Sequence, residues 1–472
     1  MPPPKSMPSP PEGNPSRHVA FAAVAIGTFM STLDASVVNI ALPTLARDFG
    51  ADLGQVEWVV LSYLLALSAL LLNAGRLVDV IGQRRVYTTG LLVFGIASGA
   101  CALSGSVIPL VIARVVQGVG GAMMNAAGPA ILTAAYPPAQ RGRVLGLVGL
   151  AVSAGLAAGP AVGGFIIGAL SWHWIFLPNV PISFVAAFVA SRAVPAAALS
   201  KERFDVAGSI LLGLFLTALM LLLTQVHVWG VWSAKSGALL ALSLGLLIAF
   251  LIVEKRVRAP VIDLGLFRNR LFTGSAAAGF LVFVTLGAVN LVMPFYLTRA
   301  LGLSTTEMGL VLTSLPVVLA VVSPFSGWLS DRLHSTRGIA STGAILAAVV
   351  LVLLRFAVHD AVADAVTVAA LLGGLGLAIG TFQSPNNSAV MGSVRAERLG
   401  TAGGLLASMR VTGLLVGNAV GGAAFLAASG GSTAPAAAAK GLALSSLVGA
   451  ATGLLAATAS LARGPSAARP ST

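Results

Sequence analysis

The sequence predicts an all-α polytopic membrane protein of about fourteen transmembrane helices, built as two six-helix pseudo-repeat bundles plus two central inserted helices. Three observations carry that expectation. Apolar runs recur along the chain, basic residues segregate to alternate loops, and three segments of the first half return in the second.

Of the 472 residues, 57% are hydrophobic and 9% charged, with a mean hydropathy of +0.94. A soluble globular chain carries roughly 25% charged residues, so an ordinary soluble enzyme is excluded. A membrane-crossing helix needs about 20 apolar residues. Runs of that kind, divided by polar breaks, fall at 19–45, 55–79, 86–105, 107–134, 142–169 and 173–191, then at 206–226 and 236–253. Six more fall at 271–298, 308–330, 338–357, 361–390, 400–428 and 440–462. A proline-rich stretch, Met1 to His18, precedes the first run, which continues without a small-residue cleavage site; it reads as a retained span rather than a signal peptide. The expected organisation is a cytoplasmic tail at 1–18, a first bundle at 19–193, and a linker with two inserted helices and a basic loop at 194–270. A second bundle at 271–462 and a tail at 463–472 follow.

Loops between successive spans alternate sides, and Lys and Arg favour the cytoplasm. With both termini cytoplasmic, 21 of the 28 basic residues lie on the inner side. Only Arg47, Lys235, Arg299, Arg355 and Lys440 lie outside, while Arg114 and Arg410 fall within spans. One missed span would invert every later loop and destroy this asymmetry. The bias accounts for the net charge of +13 through basic loops facing anionic lipid, with no nucleic-acid partner. The single Cys101 lies in an apolar span, which leaves no disulfide framework and no thiol pair for metal.

The repeat is internal and ordered. Gly75 to Asp79, G-R-L-V-D, returns as G-W-L-S-D at Gly327 to Asp331, an offset of 252. Gly118, Gly120 and Pro129 return as Gly374, Gly376 and Pro385, an offset of 256. Gly155, Gly159, Gly163 and Gly164 return as Gly413, Gly417, Gly421 and Gly422, an offset of 258. Each segment meets its twin span only if the halves hold six helices each, with the extra pair between them. Two similar bundles suit alternating access to a site near the midplane.

Of the 15 acidic residues, only Asp34 lies well inside a span. At 1.5 Å rise per residue it sits roughly 22 Å along the helix from Val19 and roughly 16 Å from Leu45. Hydrocarbon favours the neutral form of a carboxylic acid, which brings proton binding within reach, and a cationic substrate can compete for the same group. The other reading is a structural acid hydrogen-bonded to a neighbouring helix. Arg114 lies roughly 10 Å into its span, with Gln117 on the same helix face. It can pair with Asp34 in one conformation and release it in another, or serve as a static structural pair. Arg410 is a further intramembrane cation and, with Asp34, a candidate substrate contact. The segment Gly75 to Arg85, with Gly82, Asp79, Arg84 and Arg85, reads as a cytoplasmic latch, its repeat at Gly327 and Asp331; the alternative is that it only satisfies the basic bias. Gly155, Gly159 and Gly163 present three flat surfaces on one helix face, Gly164 adjoins them, and Pro160 removes a backbone donor. Asn418 replaces that proline in the repeat, so the two halves should differ in stiffness.

The run G-V-W-S-A-K-S near Lys235 lacks the glycine before lysine of a phosphate loop, so ATP is not expected as the energy source and a gradient is. The five His residues lack metal-ligand spacing and no Ser-His-Asp set is suggested. No enzyme, metal or cofactor is expected. The expected partners are a small-molecule substrate, protons and the lipid bilayer, with the chain acting as a monomer.

Leu33 to Pro43, L-D-A-S-V-V-N-I-A-L-P, resembles the first-span signature of the fourteen-span drug:proton antiporters of the major facilitator superfamily. Gly75 to Arg85 is similar to that superfamily's loop signature, R-V-V-Q-G at Arg114 to Gly118 to its fourth-span signature, and G-P-A-V-G-G to the antiporter signature of span five. Trp172 to Pro181 and Asp263 to Arg270 also resemble this branch. The resemblance implies that Asp34 and Arg114 couple to protons, that Asp79 is a conformational latch, and that Gly159 and Pro160 belong to an antiporter seam. It implies efflux of amphipathic or cationic compounds from a cell membrane; a carrier of one defined metabolite, such as an amino acid or sugar, is the alternative. Val80 departs from the usual basic residue of the loop signature, and the tenth span holds no interior acid.

Overall fold

The computed structural model describes residues 15–194, 206–230, 232–257, 264–333, 335–359, 364–394 and 399–463. The first half comprises α1 (Pro15–Asp48), α2 (Leu53–Ile81), α3 (Gln83–Ala102), α4 (Val107–Ala135), α5 (Pro138–Ala169) and α6 (Asn179–Ala193). The inserted pair is α7 (Val206–Trp229) and α8 (Ala234–Arg256). The second half comprises α9 (Arg270–Asn290), α10 (Met293–Arg299), α11 (Thr305–Leu333), α12 (Thr336–His359), α13 (Ala365–Gly392), α14 (Leu399–Ser429) and α15 (Pro435–Ala462). Among the described residues there is no strand, and 14 segments are long and apolar enough to cross a membrane. Their outward faces carry exposed apolar side chains such as Ile108, Val185 and Phe188, as expected of helices solvated by lipid.

Two spans are interrupted in ways that hydropathy does not read. The ninth consists of α9 and α10, broken at Leu291 and Val292 just before Pro294, and the sixth opens with a 3₁₀ turn at Trp172–Ile175 before α6.

Local sequence fixes the ends. Asp52 accepts from the Gln55 N–H at 2.8 Å, while the Gln55 side chain accepts from the Asp52 N–H at 3.2 Å, a reciprocal cap that starts α2. Gly82 takes φ 89° and turns α2 directly into α3, a backbone conformation that other residues rarely adopt. Asp364 caps α13 by accepting from the Thr367 N–H at 2.8 Å.

Within the first half, α4 lies between α2 and α3 while α1 packs on α5 and α6. In the second half, α9 packs on α14 and α15, and α13 lies between α11 and α12. Among the described residues the halves meet chiefly along two seams, α5 with α11 and α2 with α14, with smaller contacts of α1 against α10 and α11. The inserted pair leans on one of these only: α7 touches α2 and α14, with Ala69, Leu212, Leu216 and Phe250 forming a small apolar cluster. Asn73 on α2 accepts from the Ser209 hydroxyl at 2.6 Å.

Of the tails assigned from sequence to 1–18 and 463–472, residues 1–14 and 464–472 lie outside the described residues, as do 195–205, 231 and 258–263 of the linker assigned to 194–270. Pro15 to His18 form the first turn of α1 rather than part of a tail. Arg463, assigned from sequence to the C-terminal tail, instead caps α15 and is only 1% exposed. It donates to Ser275, Asn386 and the Thr336 carbonyl, binding α15 to α9, α13 and α12.

Candidate functional site

Asp34 is buried near the middle of α1, and its carboxylate is fully engaged. Oδ2 lies 2.6 Å from Nη1 of Arg114, and Oδ1 accepts from Gln117 Nε2 at 3.0 Å and Asn179 Nδ2 at 2.9 Å. Arg114 is 1% exposed. Its Nη1 also donates to Gln117 Oε1 at 2.6 Å, its Nε donates to the Val59 carbonyl at 3.0 Å, and its guanidinium stacks 4.2 Å above the Tyr63 ring. Gln117 donates further to the Ser98 hydroxyl at 2.8 Å. One acid and one base thus join α1, α2, α3, α4 and α6, five of the six helices of the first half.

The one-turn spacing of Arg114 and Gln117 puts both side chains on the same face of α4. Gly118 follows because α4 must press against α2: a Cβ there would meet the Tyr63 carbonyl and Ala66. Gly120 does the same toward Gly90 and Phe94 of α3. An isolated buried ion carries a large desolvation cost, which pairing and multiple hydrogen bonds offset. In this arrangement the Asp34 oxygens are occupied by protein donors, so the expectation that a cationic substrate competes for this carboxylate meets three donors already in place.

The glycine face of α5 is two-sided. Gly155, Gly159 and Gly163 receive Phe29, Ser36 and Val37 of α1, while Gly164 meets the Thr305 backbone and Gly309 of α11. Pro160 leaves the Leu156 carbonyl without its helical donor, and the Ser36 hydroxyl donates to that carbonyl at 3.3 Å. In the repeat, Gly413, Gly417 and Gly421 receive the backbone of α9 at Phe280, Val284 and Ala288, and Gly422 faces α2. Asn418, in the place of Pro160, is fully buried and neither amide atom has a hydrogen-bond partner.

Among the described residues, Arg84, Arg85 and Asp331 make no side-chain hydrogen bond or ion pair with one another. The Asp79 side chain lies outside the described residues. Gly75 has open space around it, Arg85 is exposed, and Gly327 packs against Ser384 while Asp331 is exposed. Arg410 does not join the Asp34 cluster; it is partly exposed on α14 and makes no hydrogen bond or ion pair with a described residue.

Two participants escaped the sequence reading. Asn179 is the third donor to Asp34, and its position within W-H-W-I-F-L-P-N-V-P was its only signal. Glu57, one of the acids at span ends, lies in the second turn of α2 and is nevertheless buried: it has no exposed surface, and neither carboxyl oxygen has a partner. Its nearness to the start of the run made it read as an interfacial residue.

Two pseudo-repeated bundles of membrane-crossing helices, with a charged network locked inside one of them, define a polytopic transporter of small molecules. The family model for the Major Facilitator Superfamily matches residues 24–265 and 275–471, and the chain belongs to that superfamily. It is 33% identical over 406 residues to the riboflavin transporter RibZ of Clostridioides difficile (strain 630), covering 85% of this chain and 86% of that protein. It is 32% identical over 405 residues to the tetracenomycin C resistance and export protein of Streptomyces glaucescens, covering 84% and 74%. It is 30% identical over 412 residues to the multidrug resistance protein Stp of Mycobacterium tuberculosis (strain CDC 1551 / Oshkosh), covering 86% and 75%. In fold it is similar to a bacterial homologue of the human lysosomal transporter Spinster, with a TM-score of 0.68 at 14% identity over 97% of this chain and all of that one. The fourteen spans and the drug-transporting relatives fit the drug:proton antiporter branch of the superfamily.

Proposed function

We propose that the chain is a proton-coupled exporter of drug-like amphipathic molecules that works by alternating access in a cell membrane. The observation that carries this reading is the Asp34–Arg114–Gln117–Asn179 network. An acid bound by an arginine from another helix can lose that partner when helices shift, and the acid then takes up a proton. Asp34, Arg114 and Gln117 are the coupling residues in this scheme, and Asn179 positions the carboxylate. The substrate meets the protein elsewhere, with Arg410 as a candidate contact. Gly75, Asp79, Gly82, Arg84 and Arg85, with Gly327 and Asp331, form the latch, and the α5 glycines with Pro160 form the moving seam.

Both termini face the cytoplasm in this reading, the chain works as a monomer, and a proton gradient rather than ATP drives it. The α1–α2 loop is then outside, and the contacts of Gly164 with α11 and Gly422 with α2, both near that end, close the outer face.

The relative that transports riboflavin favours a second reading, a carrier of one defined metabolite. Inside-out vesicles distinguish the two. Substrate-triggered collapse of an imposed pH gradient by several unrelated dyes, lost in Asp34→Asn while the variant still inserts, supports the exporter. Collapse by a single metabolite and by none of the dyes supports the narrow carrier, and an Asp34→Asn variant that behaves like the native chain removes Asp34 from the proton path.

A further inference from the structure

The two seams correspond under the internal repeat. The offset of 258 that relates Gly164 to Gly422 and the offset of 252 that relates Asp79 to Asp331 together pair Glu57 with Gly309. At one seam Gly164 meets Gly309, and a Cβ on either would strike backbone. At the other, Gly422 meets the Glu57 carboxyl, with Leu291 beside it. Where one seam has glycine on glycine, its twin has a carboxylic acid.

Nothing satisfies that acid. Glu57 has no exposed surface and neither oxygen has a hydrogen-bond partner, and the buried amide of Asn418, one turn from Gly422, is also unpartnered. One turn further out, Leu53, Gly54, Leu426 and Gly430 line a cavity of roughly 770 Å³ that Asp52 and Arg299 also border. The surrounding elements bring few charges. At the N-cap of α2 the nearest is Asp52, which carries the same sign as an ionised Glu57. On α4, Arg114 reaches α2 at the Val59 carbonyl but is committed to Asp34. On α10 there is Arg299 at the cavity, and α1 ends with Arg47 and Asp48. On α14 the nearest charge to Gly422 is Arg410, twelve residues earlier; α3 and α9 carry theirs at the opposite end, and α7 has only His227 as a titratable residue. None pairs with the carboxyl.

An ionised carboxylate without donors, sealed from water, is far less favourable than the neutral acid. Once the seam opens, water solvates the ion. We propose that Glu57 is a proton-binding residue of the α2–α14 seam, protonated while that end is closed and deprotonated to water when the halves part there. The O–H bond breaks, the proton leaves on water and the carboxylate remains; closing reverses the step. Proton binding and closure of this end are thereby linked. The inference deepens the proton-coupled reading and rests on the halves separating at this seam, but not on the substrate or on Asp34.

The test uses the full chain in lipid nanodiscs with spin labels at Ala51 and Thr433, on opposite halves at the cavity rim. The native protein should shift from a short to a long separation as pH rises, with the open-to-closed ratio changing roughly tenfold per pH unit at its steepest for one proton released. Glu57→Gln should stay short at every pH and lose the infrared band of a buried carboxylic acid. Asp34→Asn should displace the midpoint but keep a pH-dependent shift, and that shift should vanish when Glu57→Gln is added. A Glu57→Gln variant that titrates like the native protein, or a native seam indifferent to pH, overturns the proposal. Should Glu57→Gln fail to fold, Glu57→Asp, which draws the acid back from Gly422, must move the midpoint; an unchanged midpoint overturns it equally. If dyes fail to collapse the gradient while the Glu57-dependent shift persists, the export reading falls and this one stands.

Discussion

The α5–α11 and α2–α14 seams occupy equivalent places in the repeat and are built on opposite principles. At the first, bare backbones touch at Gly164 and Gly309, and Thr306 donates to the Gly164 carbonyl at 3.3 Å. At the second, a glycine receives an unpartnered acid. A glycine contact is a steric stop whose strength no proton or ion can adjust, whereas a buried acid makes its own contact conditional on a proton. Duplication supplied the same geometry twice, and one residue turned one copy into a chemically addressable joint.

The sharpest way to break the comparison is to add bulk to both seams. Gly309→Leu drives a side chain into the Pro160 backbone; overpacking costs about 1–3 kcal/mol, so the closed-to-open ratio should fall by about five- to 150-fold and substrate flux with it. Gly422→Ala meets the movable end of Glu57 and should cost less, and Glu57→Ala should relieve it. Label separation and vesicle transport read both, and equal losses at the two seams would erase the distinction.

A smaller effect tests the α5 face. Ser36→Ala removes the donor to the Leu156 carbonyl and should destabilise the α1–α5 contact by about 1 kcal/mol. In a Pro160→Ala background the restored N–H serves that carbonyl, so the same change should be nearly silent. Thermal unfolding of the four proteins in detergent gives the coupling.

The smallest expected effect lies outside the seams. The Thr367 N–H holds the Asp364 carboxyl below its usual range. A depressed folded-state value means its capping contribution is present above the unfolded pKa and fades as pH falls through the folded one. Asp364→Ala should therefore speed amide exchange in the first turn of α13 at neutral pH and make little difference in acid.

Fourteen spans, the six-plus-two-plus-six order and the repeat were legible because hydropathy and glycine spacing are properties of the chain itself. The Asp34–Arg114–Gln117 group could be nominated because charge in hydrocarbon is rare. Asn179 could not, since an amide near a span end looks like any interfacial residue until the fold carries it to α1. Glu57 was hidden differently: its nearness to the span end suggested contact with water, and α14 laid over it removes that water. The repeat offset did place Glu57 opposite Gly309, so the asymmetry was present in the sequence, but nothing in the sequence said that these positions touch the other half.

The inserted pair has a consequence for how molecules dissolved in lipid meet the protein. Because α7 leans on α2 and α14, protein rather than hydrocarbon covers one flank of the junction between the halves, while the α5–α11 flank has no such cover among the described helices. The two sides of the bundle are thus unequal doors: a greasy compound diffusing within a leaflet finds one jamb screened and the other bare, and a bundle with near twofold internal symmetry acquires a single sidedness toward the membrane plane.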